Sequence, residues 1–136
     1  MDGREATDLR NFSSEEADFE EKTTCLKDRL ERLLHEAAEV EVELSRADGT
    51  IKGVPHYSLI EGRAHELGKR LSRQVQQRQM SELAASQALT ARCPNCDALV
   101  PLRPRQRGVK SVDGDTPVQE LVGDCSRCRK SFFPAT

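Results

Sequence analysis

Tryptophan is absent from this chain, tyrosine occurs once and phenylalanine four times in 136 residues. So few aromatics exclude one large core, and burial has to come from Leu, Val and Ala on helices. No apolar run approaches the roughly 20 residues that span a bilayer. The first ten residues, MDGREATDLR, are charged where a secretory leader has an apolar centre, so the expected location is cytoplasmic with no membrane partner. No Gly-rich phosphate loop and no nucleophile motif is present, and His35, His56 and His65 lie far from the cysteines in sequence, so a non-catalytic protein is expected.

Charge is abundant and unevenly placed. Residues 1–48 hold 7 Lys/Arg against 15 Asp/Glu, residues 49–91 hold 6 against 3, and residues 92–136 hold 8 against 5. The near-neutral total therefore conceals an acidic beginning and a basic remainder.

Residues 1–23 are polar and acidic, and they read as a mostly disordered tail. From Thr24 the pattern sharpens: Leu26, Leu30, Leu33, Ala37, Val40 and Leu44 alternate in steps of four and three, the signature of a heptad seam on a helix. That helix is expected to end near Ser45, with Asp48-Gly49 as its stop. A second helix can begin at Pro55 with Ile60, Ala64, Leu67, Leu71 and Val75 as its stripe, and Gly68 would let a partner helix approach closely. Acidic residues flank the first stripe and Arg63, Lys69, Arg70, Arg73 and Arg78 accompany the second, so an antiparallel, coiled-coil-like hairpin over 24–91 is expected. Cys25 reads as a small, partly buried side chain beside the seam.

The most informative motif is Cys93-Pro94-Asn95-Cys96, followed after 28 residues by Cys125-Ser126-Arg127-Cys128. Two C-x2-C pairs supply four thiolates from two tight turns, which suits the tetrahedral preference of Zn2+. A redox pair would need a βαβ context that is lacking, and disulfides do not suit a reducing compartment. A site with four protein ligands leaves no position for water, so the zinc is expected to be structural. Between the pairs, 98–102, 109–112 and 117–122 read as strands, with a turn at Asp113-Gly114-Asp115. The fold class expected is thus α+β: an antiparallel helical hairpin followed by a small four-cysteine zinc ribbon over 92–136.

Arg103, Arg105 and Arg107 alternate along an extended segment and would share one face, which suits a phosphate backbone. With Lys110, Arg127, Arg129 and Lys130 they form the candidate nucleic-acid set, and the same cations could instead compensate four thiolates and a divalent ion.

The run His56-Tyr57-Ser58-Leu59-Ile60-Glu61, then Gly68-Lys69-Arg70-Leu71 and Gln74, the two cysteine pairs and Phe132-Phe133-Pro134 together resemble the N-terminal region of bacterial insertion-sequence transposases. The resemblance covers roughly 55–134. It implies Cys93, Cys96, Cys125 and Cys128 as zinc ligands and DNA as partner. It does not carry over catalysis, because such transposases use an acidic triad on an RNase H-like domain that has no counterpart in this sequence. A helical hairpin with a terminal zinc module also resembles bacterial regulators of RNA polymerase, although the expected tip, residues 46–50, offers only Asp48. A protein adaptor that binds or self-associates through its helices is the remaining alternative.

Overall fold

The computed structural model describes residues 8–134, with side chains from residue 13 onward. It is α+β, with helices α1 (Asp8–Ala47) and α2 (Tyr57–Ser86) and strands β1 (Thr90–Arg92), β2 (Leu99–Ser111), β3 (Gly114–Cys125) and β4 (Lys130–Phe132). The strands make one antiparallel sheet in the order β1-β2-β3-β4. Two compact units meet at residues 56 and 57, one holding α1 and the other α2 with the sheet.

α1 starts sixteen residues before Thr24, which corrects the expectation of disorder for 8–23; the first seven residues of that expected tail lie outside the described ones. The acidic composition obscured the fact that its glutamates, Glu15, Glu16, Glu20 and Glu21, are themselves good helix formers. Phe19 also lies one heptad before Leu26, so the seam begins earlier than expected. At the other end the stop is as expected. Asp48 N–H donates to the Leu44 carbonyl and Gly49 N–H to that of Arg46, with Gly49 at a φ of 76°. Cys25 is exposed rather than partly buried.

α2 begins at Tyr57, two residues after Pro55. Of its expected stripe only Leu67 is partly buried: Ala64 is exposed, and Ile60, Leu71 and Val75 are 46, 43 and 48% exposed. The partly buried residues Lys69, Ser72, Arg73, Gln76, Met80 and Ala84 recur at helical spacing instead. This mixed polar face serves because α2 packs along β3 and reaches the hairpin tip, where Ser72 Oγ donates to Asp113 Oδ2 (2.5 Å) and Arg73 Nη1 to the Asp113 carbonyl (2.7 Å). Gly68 has open space where a Cβ would stand, so no close helix approach depends on it. The helix thus accompanies the sheet, and the compact division falls before α2 instead of at 91/92.

The interval expected to hold three short strands is one long hairpin, β2 to β3, in continuous register from Leu102↔Gly123 to Ser111↔Gly114. Its loop is Val112-Asp113, one residue earlier than expected. Pro104 and Pro117 are tolerated here because of parity. Leu102 N–H donates to the Leu89 carbonyl, so even-numbered N–H groups of β2 face away from β3. Pro104 therefore withholds a donor only from an outer edge, and so does Pro117 opposite Gly108.

Register divides the hairpin into two faces. Thr116, Val118 and Val122 are buried at 1, 5 and 0% exposure and alternate along β3, marking the face that α2 covers. The opposite face carries Val100, Leu102, Gly123 and Cys125. There Phe132 packs with Val100 against Cys93 and Cys125.

Candidate metal centre

Both cysteine pairs sit on the short turns that join β1 to β2 and β3 to β4. Cys93 follows β1 directly, and Cys125 is the last residue of β3. The closing partners are Arg92↔Leu99 in one hairpin and Cys125↔Lys130 in the other. Each turn needs a left-handed residue just after its second cysteine, supplied by Asp97 (φ 60°) and Arg129 (φ 53°). In the first turn Cys93 N–H donates to the Ala98 carbonyl (2.8 Å) and Asp97 N–H to the Cys93 carbonyl (2.9 Å).

These two turns bring four sulfurs together, all within 4.8 Å of one another. Cys93 Sγ lies 3.9 Å from Cys128 Sγ and Cys96 Sγ 3.5 Å from Cys125 Sγ. A tetrahedron with metal–sulfur bonds of about 2.3 Å has edges of about 3.8 Å, whereas a disulfide needs about 2.05 Å. The donor set therefore fits a single metal ion and not two disulfides. Cys93 and Cys125 are buried and the other two half-buried, so the site closes against the sheet on one side.

The surroundings act on the thiols unequally. Backbone N–H groups of Cys96 and Asn95 point at Cys93 Sγ and hold its pKa down to about 7. Cys96 is pushed up to about 12: the Ala98 N–H lowers it, but sharing with the Cys128 and Cys125 sulfurs, together with burial, outweighs that donor. The Asn95 side chain adds a further donor to Cys128 Sγ at 3.2 Å, a contact that nothing in the residue spacing signalled. Metal would bind the thiolate forms and displace these protons.

The candidate cations fall into two sets. Register confirms that Arg103, Arg105 and Arg107 share a face, because they stand opposite Val122, Glu120 and Val118. Yet Arg103 Nε donates to Asp124 Oδ2 at 2.6 Å, and Arg107 holds Glu120 Oε1 through Nε and Nη2 at 2.7 and 2.6 Å. The alternation that suggested a phosphate track also places these two arginines diagonal to carboxylates of β3. Arg105, Lys110, Arg127, Arg129 and Lys130 are exposed and have no carboxylate partner among the described residues. Arg127, Arg129 and Lys130 cluster on the turn that carries Cys128, whereas Lys110 lies near the hairpin tip.

Among the described residues no helix is long and apolar enough to cross a membrane. No family model, curated protein or solved structure matches this chain.

Proposed function

We propose that residues 92–136 are a zinc ribbon, against which α2 packs, and that the chain is a non-catalytic DNA-binding protein akin to the N-terminal region of insertion-sequence transposases. The observation that carries the metal half is the set of four convergent sulfurs at tetrahedral spacing. Four thiolates suit zinc, and full protein ligation makes the ion structural. Metal analysis of the purified chain should give about one zinc per chain. A Cys93→Ser/Cys125→Ser double variant should lose it, and retention of metal by that variant, or iron in place of zinc, sinks this half.

The DNA half rests on the cations left without carboxylates. Arg127, Arg129 and Lys130 project from the metal-bearing turn, so a folded ribbon would present them together, while Arg103 and Arg107 are occupied within the sheet. In a duplex titration by fluorescence anisotropy, replacing these three by Ala should flatten the salt dependence by up to about 0.9 per lost phosphate contact. Equal binding by the triple variant, or no binding by the parent at about 50 mM salt, removes the DNA reading. The exposed apolar positions on the helices favour a protein adaptor or polymerase regulator as the second reading.

A further inference from the structure

We propose that α1 is an antiparallel dimerisation helix whose partner is α1 of a second copy of this chain. The helix is 40 residues long. Its seam stays open, with Phe19 72%, Leu26 54%, Leu30 54%, Leu33 48%, Val40 62% and Leu44 47% exposed. An isolated helix gains little stability from propensity alone, and apolar side chains in a heptad array are stabilised by a facing helix with the same array.

Charge selects both the partner and its direction. With Leu26, Leu33 and Val40 at d and Leu30, Ala37 and Leu44 at a, the flanking g positions are Lys22, Arg29, Glu36 and Glu43. The e positions include Lys27 and Glu41. A parallel in-register pair would set Lys22 against Lys27 and Glu36 against Glu41 of the other chain, like against like, with Arg29 against Leu34 between them. An antiparallel pair brings g against g instead. When Leu30 packs on Leu33 of the second copy, Arg29 meets Glu36 and Lys22 meets Glu43, each twice by symmetry, and these two unlike pairs outnumber the one like pair, Glu20 with Glu41. None of these four charged residues has a partner within the chain among the described residues.

The same register layers Phe19 on Leu44, Thr23 on Val40 and Leu26 on Ala37, so overlap runs from 19 to 44. That is close to four heptads and about 39 Å of helix, within the range at which heptad pairing becomes stable. The basic stretch around Lys22 to Arg32 and the acidic stretch around Glu36 to Glu43 then lie against each other at both ends of the overlap. The dimer requires nothing of the metal-bearing unit and stands independently of the DNA reading.

Sedimentation equilibrium of the full, metal-saturated chain should show a monomer–dimer equilibrium. Arg29→Glu places like charges at two symmetry-related sites and should weaken dimerisation on the order of tenfold, and Arg29→Glu/Glu36→Arg should restore it. At concentrations where each is dimeric, both variants should keep the far-ultraviolet dichroism of the parent, since Arg29 and Glu36 are exposed on the helix. A parallel dimer predicts otherwise: Arg29 would face Leu34 and its reversal would change little, while Glu36→Arg would tighten the pair. A chain monomeric to about 100 µM, near the weak end of specific association, overturns the proposal. So does a dimer indifferent to Arg29→Glu, or one that the charge exchange fails to restore.

Discussion

Adding one methyl group at Gly123 should separate the three-residue strand β4 from the cysteine-bearing face of the sheet. Gly123 pairs with Leu102 on one side and with Phe132 on the other. A Cβ there would lie 2.6 Å from Phe132 Cζ, 2.8 Å from Cε1 and 3.1 Å from Leu102 Cδ2. Carbon atoms prefer about 3.5–4.0 Å, so the overlap with the ring is roughly 1 Å. Leu102 blocks retreat on one side and the three-residue strand β4 carries the ring on the other. Gly123→Ala therefore requires the ring to leave Cys93, Val100 and Cys125, at an overpacking cost of about 1–3 kcal/mol. Reduced freedom of the unfolded chain returns about 0.4–1 kcal/mol. The net loss is about 1–2 kcal/mol, or roughly 4–16 °C in Tm for a unit of this size. Calorimetry of the metal-saturated chain measures it, and Gly108→Ala is the control because nothing lies within 4 Å of that Cβ. Against a Phe132→Leu background, Gly123→Ala should cost much less. A Tm for Gly123→Ala at or above the parent value, or an equal loss in both backgrounds, would refute the seating of Phe132 over Gly123.

Arg107→Ala should destabilise by about 1–3 kcal/mol in urea, because it strips the partner from Glu120, whose side chain is 11% exposed. Arg105→Ala should leave the midpoint nearly unchanged. Arg129→Gly should stabilise by up to about 1 kcal/mol, since relief of a left-handed residue exceeds the added backbone entropy, and a lowered Tm would contradict it. Asp124 is held below the usual carboxylate range by the hydrogen bond from Arg103 and then by that from Ser131. Its folded pKa is depressed, so its contribution is complete above the unfolded pKa and lost as pH falls through the folded one; Asp124→Asn should flatten that acid limb in pH-dependent urea titrations. Chelation should raise hydrogen exchange across the strands and α2 together, because α2 is fastened to the hairpin tip, while 20–47 stays unchanged.

The four-cysteine cluster was legible in the chain because its members are specified by residue type and by two short turns, both local properties. The long hairpin was less so. Pro104 and Gly108 interrupt the expected alternation, and only the side of the ladder each faces decides whether a strand tolerates it. The partner of α2 was hidden for a different reason. Its covered face contains Lys69, Ser72, Arg73 and Gln76, and two of these act through the hairpin tip, forty residues away, a pairing no periodicity announces. The stripe from Ile60 to Val75 advertised an apolar contact of which only Leu67 is partly covered. For α1, acidic composition masked a heptad phase that Phe19 already shared with Leu26.

Pro104 and Pro117 also govern what the long hairpin does in company. A long two-stranded ladder offers two bare edges, and bare edges template the addition of foreign strands and hence fibrous aggregation. Along the outer edge of β2 the amide missing at Pro104 breaks the row of donors, with Lys110 further along it. Along β3 the amide missing at Pro117 does the same. A third chain that tried to extend the sheet would meet a gap in each ladder after a few residues. The hairpin can stay long and thin in a crowded cell without recruiting its neighbours.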